Sequence, residues 1–215
     1  MSTSLSTLRT KVRRYIDEST ADRWTDAELN AFINEAIVFV QGEIESSNPD
    51  WFLRVETFTA SAGSDQAALP SDIWGNCLRS LYAYPNSTVA TGKGYRVPPG
   101  QLEWILGNIY YSADTPDNYS MLAGYIRWAP ILAYTTCFRY VYALKETPLS
   151  ADSDNMGRIS DEHADLVAMY AAIIAYEKIG ADTRWLNTRL ERGLQQMRSD
   201  VTPTDPITIP QQQID

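Results

Sequence analysis

The chain is poor in the residues that most often carry chemistry: 215 residues hold one histidine and two cysteines. Catalysis needs a nucleophile, a base or a metal held in place. The single histidine, His163, lies in Asp161-Glu162-His163-Ala164-Asp165, and neighbours one or two apart on a helix point in different directions. It is therefore expected as a solvated first-turn residue, not as a base or ligand. Cys77 and Cys137 have no CxxC spacing, which excludes a zinc knuckle or a disulfide framework. Each is expected to fill a core as a small apolar residue. No window reaches the roughly 20 apolar residues of a membrane span, and Met1–Thr10 is too polar for a signal peptide. A cytosol-like compartment without membrane contact is expected. Positive charge is also scarce, with 18 basic against 27 acidic residues and a net charge of −9. A protein that grips nucleic-acid phosphates is usually basic.

Known motifs are missing as well. Thr91-Gly92-Lys93-Gly94 has Ser87 where a phosphate loop needs glycine, and Gly94 where it needs Ser or Thr. Neither GxGxxG nor GxSxG occurs. The carboxylate pairs Glu43/Glu45 and Asp152/Asp154 and the basic run Arg9–Arg14 are expected on solvated faces. No catalytic, cofactor-binding or metal residue is assigned, and no cofactor is expected.

What is present is amphipathic order. Apolar residues make up 44% of the chain, enough for a real core. Leu5, Leu8, Val12 and Tyr15-Ile16 recur at helical steps, so a helix is expected over Ser4–Glu18. Trp24, Thr25 and Glu28 then form a helix cap motif: a capping box with an apolar residue before it. The helix it starts carries Leu29, Phe32, Ile33, Ala36, Ile37, Val40 and Ile44, and stops before Pro49. Near the other end, Ser160 caps a helix with the stripe Ala164, Val167, Ala168, Ala171, Ile174, Ala175 and Ile179, which Gly180 ends. Asp182 is expected to cap a last helix carrying Trp185, Leu186, Leu190, Leu194 and Met197.

Between the helix pairs, β-branched and aromatic residues alternate with turn residues. Strands are expected over Phe52–Ala60, Cys77–Tyr84, Tyr119–Ala129 and Tyr134–Leu144, with a helical turn as an alternative within Ile73–Ser80. Tyr110, Tyr111, Tyr119, Tyr125, Trp128, Tyr134, Tyr140 and Tyr142 crowd this section. Without a basic groove they suit a core and a protein interface better than a stacking platform for single strands. After Asp200, three prolines forbid a helix and an extended tail is expected. The fold class is α+β: a four-helix bundle from N- and C-terminal helix pairs, with an inserted antiparallel β section and an extended tail. The expected divisions are 1–48, 49–158, 159–200 and 201–215.

The order of these features resembles the head-to-tail adaptor proteins of tailed bacteriophages, also called neck or head-completion connectors. The matching residues are Trp24-Thr25-Asp26, Glu28-Leu29, Ile33-Asn34-Glu35-Ala36, Leu69-Pro70-Ser71-Asp72, Pro116-Asp117-Asn118-Tyr119 and Trp128-Ala129-Pro130, followed by the alanine-rich helix pair. Together they span most of residues 5–198. The resemblance implies a non-enzymatic virion protein of the neck, assembled in the host cytoplasm. It implies a homo-oligomeric ring, typically of twelve subunits, between the portal protein and the tail or a stopper protein. Genomic DNA would pass through its lumen unread, and an acidic surface suits such a channel. It further implies a tail that clasps the portal, with Val201, Ile207, Thr208, Ile209 and Ile214 as the residues to do so. A stopper or tail-terminator ring, a monomeric binding module and a small carboxylate-based enzyme are the alternatives.

Overall fold

A computed structural model of the chain describes residues 3–18, 23–85, 93–108 and 112–202. It is α+β, with helices and antiparallel sheets in two compact units. One unit contains residues 1–51 and 146–215, the other residues 52–145.

The first unit is helical. α1 (Leu5–Tyr15) is capped by Ser4, whose hydroxyl accepts from the Thr7 amide, and it buries Leu5, Leu8 and Val12. α2 (Asp26–Ser47) buries the whole expected stripe together with Gln41. Both halves of its capping box form. The Glu28 amide donates to Thr25 Oγ1 at 3.3 Å and the Thr25 amide to Glu28 Oε2 at 3.0 Å. Two backbone donors left over at the helix start are thereby satisfied. Trp24 packs edge-on against Phe32 at 5.3 Å, one turn beyond the position of an ordinary hydrophobic staple.

The last two helices of the chain, which follow α3 (Leu102–Gly107) of the sheet unit, are α4 (Ala164–Lys178) and α5 (Arg184–Val201). α4 is buried on nearly every side, with Leu166, Met169, Ala172 and Ile173 added to the expected positions. It packs against α1, α2 and α5. A helix that is apolar all round belongs in an interior, and five buried alanines let its neighbours approach closely. Three stripe residues fall outside this core: Ile174 is half-buried, Ile179 is 43% and Trp185 51% exposed. Gly180 ends α4 with a φ of +67°. Thr183 is the cap residue of α5, while Asp182 accepts from the Arg184 amide at 3.0 Å. Val201, expected in the tail, is the last residue of α5 and is buried. Its position one turn beyond Met197 continues the apolar face, and the helix ends only before Pro203.

The second unit is built on sheets. β1 (Leu53–Ala60), β3 (Ile73–Pro85), β4 (Tyr95–Val97) and β9 (Thr136–Leu144) form an antiparallel sheet in the order β1-β9-β3-β4, with β2 (Gln66–Ala68) placed elsewhere. β9, a central strand, alternates as expected, with Phe138, Tyr140 and Tyr142 buried. β3 runs straight through the segment where a helical turn was an alternative. Two register shifts against β9, between Ile73 and Ser80, account for its broken alternation. α3 (Leu102–Gly107) and β5 (Ser112–Ala113) follow β4.

The expected single strand over Tyr119–Ala129 is instead a hairpin of β6 (Asn118–Leu122) and β7 (Tyr125–Ala129). Ala123 and Gly124 turn the chain with φ values of +47° and +87°, the positive φ pair of a tight two-residue connection. Alanine rarely takes that conformation, so the sequence hides the turn. β2 pairs with β7 to complete a three-stranded sheet, and β8 (Ile131–Leu132) lies parallel to β5. The core of this unit is aromatic. Phe58 stacks on Phe138 at 4.9 Å, Trp128 meets Phe138 at 4.9 Å, and Tyr140 stacks on Tyr142 at 5.4 Å.

The sheet unit is shorter than the 49–158 stretch expected from composition. Residues 146–158 belong to the helical unit because α1 and α2 hold them. Gln41 Oε1 accepts from the Glu146 amide at 3.1 Å. Asn34 clamps Leu149 by both backbone groups, at 2.7 and 3.0 Å. The Leu5 amide donates to the Asp154 carbonyl at 2.8 Å.

Candidate functional site

The groups singled out from the sequence are mostly internal fasteners. The basic run on α1 is not a solvated face. Arg9 contacts Asp26 at 2.6 Å and also pairs with Asp152. Arg13 reaches Asp26 at 2.8 Å and the Trp24 carbonyl at 3.1 Å. Both side chains are nearly covered, at 11% and 13% exposure. The Arg13 hydrogen bond holds the Asp26 carboxyl below the usual carboxylate range. Lys11 pairs with Asp165 on α4 at 2.6 Å. Of the run, Arg14 alone is exposed.

The carboxylate pairs also have partners. Glu43 receives Arg198 of α5 at 2.6 Å. Asp154 accepts from the Ser150 and Ala151 amides, both at 2.8 Å, and these bonds lower its pKa. His163 is not solvated: it is 5% exposed, and burial pushes its pKa below the ordinary 6.5 against the opposing pull of Glu162 and Asp200. The sequence misleads here because Ser160 starts a 3₁₀ turn over Asp161–His163, which swings the histidine inward before α4 begins. Among the described residues, no group of three or more His, Cys, Asp or Glu side chains could hold a metal ion. Cys77 and Cys137 are free and half-buried, not core residues.

In the sheet unit, the step Leu69-Pro70-Ser71-Asp72 acquires a physical role. Asp72 accepts from the Tyr142 hydroxyl at 3.0 Å, from Arg54 Nη1 at 2.9 Å, and through its carbonyl from the Lys145 amide at 2.6 Å. Arg54 also meets Glu56 at 2.6 Å, and Glu56 accepts from the Tyr140 hydroxyl at 3.0 Å. Burial, reinforced by these carboxylates, pushes Tyr140 up to about 12 and Tyr142 higher still. Phenols held neutral beside paired carboxylates pin strands together; they are poorly placed to exchange protons near neutral pH. Tyr119 and Trp128 of the later motifs are core residues, whereas Tyr125 and Tyr134 are exposed. Tyr110 and Tyr111 lie outside the described residues.

The point from which the C-terminal tail departs is fixed. Asn48, the last-turn cap of α2, donates its side-chain amide to the Val201 carbonyl at 2.9 Å. The Arg198–Glu43 pair lies one turn earlier. In the sequence, Asn48 before Pro49 signals only the stop of α2; the long-range bond of its side chain has no local signature. Ile207, Thr208, Ile209 and Ile214 lie outside the described residues.

A family model described as "SU10 adaptor protein" matches residues 3–209. The chain belongs to the SU10 adaptor protein family. In this SU10 adaptor, the residues of the short motifs from Trp24 to the alanine-rich helices serve as caps, clamps and core. No curated protein matches the chain. Among solved structures, a chain titled "Neck of empty GTA particle computed with C6 symmetry" is similar at 14% identity, covering 83% of this adaptor and 79% of that chain with a TM-score of 0.28. No helix among the described residues is long and apolar enough to cross a membrane.

Proposed function

We propose that this adaptor is a structural, non-catalytic virion protein of a phage or phage-like neck. Copies assemble in the host cytoplasm as a closed ring of about twelve. The ring joins the portal protein to the tail or a stopper and continues the DNA channel. Family membership over residues 3–209 is the observation that carries this reading. The four helices of the first unit act as the bundle around which the ring is built, with α4 as the central rod.

The tail after Thr202 is the portal clasp in this reading. The Asn48–Val201 bond and the Arg198–Glu43 pair support it by giving the tail a rigid starting point. Val201 itself is core and does not take part. A deletion must therefore begin at Pro203. Removal of residues 203–215 should leave thermal unfolding unchanged and abolish co-sedimentation with portal rings. A truncated chain that binds portal as well as the full chain would refute the clasp.

A further inference from the structure

The first two helices segregate charge. α1 carries Arg9, Lys11, Arg13 and Arg14 and no acid, whereas α2 carries Asp26, Glu28, Glu35, Glu43 and Glu45 and no base. Internal pairs consume several of these, but two faces remain. An open groove of about 580 Å³ runs between α1 and α5, lined by Lys11, Arg14, Tyr15, Asp165, Trp185 and Arg189. It holds three cations against one carboxylate, and that carboxylate is already bound to Lys11. Arg14 and Arg189 are exposed with no carboxylate partner among the described residues, though Arg189 lies over the Tyr15 ring at 5.4 Å. Trp185 is half exposed.

The other face is a stripe on α2. Glu28, Ala31, Glu35 and Val38 are exposed at alternating three- and four-residue steps, and so lie along one side of the helix. Glu35 has no cationic partner among the described residues, and Val38 is 42% exposed. Lys178 lies over the Phe32 ring at 4.4 Å.

We propose that the acidic, partly apolar stripe of α2 docks into the cationic, aromatic groove between α1 and α5 of a second copy of the chain. One subunit thus presents two different, complementary surfaces. Complementary unlike faces are what a ring of identical subunits requires, because the contact repeats head to tail until rotation closes it. Charge sets partner and register, while Trp185, Tyr15 and Val38 supply apolar contact. The interface rests on the ring reading above and gives it an address.

The test uses two charge reversals at exposed positions of the full chain, Glu35→Arg and Arg189→Glu. Self-association is followed by sedimentation and native mass spectrometry at low salt, with circular dichroism to establish that both variants fold. Each variant alone places like charges across the contact and should weaken self-association by about tenfold or more. An equimolar mixture of the two should regain it, because alternating copies restore an opposite-charge pair at every contact. Mixed rings should then hold even numbers of copies. If the wild-type chain forms rings while neither reversal weakens them, or if folded variants fail to complement each other, the interface is wrong and the ring reading stands. A wild-type chain that stays monomeric at all concentrations, with portal rings present, overturns both.

Discussion

The two units solve the same problem with different chemistry. The sheet unit is held by contacting rings: Phe58, Trp128, Phe138, Tyr140 and Tyr142 form a chain of contacts with centroids 4.9–6.1 Å apart, and the two tyrosine hydroxyls end on Glu56 and Asp72. The helical unit is stitched by polar side chains that join segments more than a hundred residues apart, with Asn34, Gln41 and Arg9 binding the 146–154 stretch. The aromatic core derives its strength from buried area. The helical unit has an aliphatic core of its own and adds directional bonds that fix the 146–154 stretch to it, while its outer helix faces carry the remaining charge.

The sharpest way to break this contrast is to remove a ring. Trp128 is fully buried and donates to the Ser64 carbonyl at 3.0 Å. Trp128→Ala should cost about 4 kcal/mol, read as a lowered midpoint in denaturant unfolding. Removing a stitch costs less. Asn34→Ala leaves the Leu149 amide and carbonyl unpaired and should cost about 2–3 kcal/mol, with faster hydrogen exchange at Leu149. If Asn34→Ala proved as costly as Trp128→Ala, the distinction between the units would fail. Thr25→Ala removes the α2 cap and should cost about 1 kcal/mol, measurable as a small drop in melting temperature.

The smallest effect is a pH dependence in the helical unit. The folded pKa of His163 lies below the ordinary 6.5 because the ring is buried, so the unfolded chain binds the proton more readily. The stability held by neutral His163 is intact above pH 6.5 and drains away as pH falls through 6.5 toward the folded value. Melting temperatures between pH 7.5 and 5.5 should fall less in His163→Gln than in wild type. An equal fall would mean that carboxylates alone set the acid response.

These features also mark how far the sequence could be read. The helix starts were legible because capping is local: Ser4, Thr25 and Glu28 act within one turn of where they stand. The α2 stripe was legible because its period is regular and nearly all of it is buried. The 119–129 hairpin was hidden by an alanine in a glycine-like conformation, and the depth of His163 by a 3₁₀ turn that shifts the helical phase. The internal use of Arg9 and Arg13 was out of reach, because Arg9's partner Asp152 is more than a hundred residues away and the Asp26 that both arginines share stands on the next helix, where the local pattern of α1 does not point. The family pattern was legible from the order of short motifs, yet the roles of Asn34 and Asp72 emerge only from their long-range partners.

The central claim is that this chain works as one of many identical copies in a closed ring. Native mass spectrometry of the full-length protein, alone and with portal rings, tests it most directly. A single closed multimer near twelve copies is expected, at the latest when portal is present. A population that remains monomeric with portal in excess would contradict it.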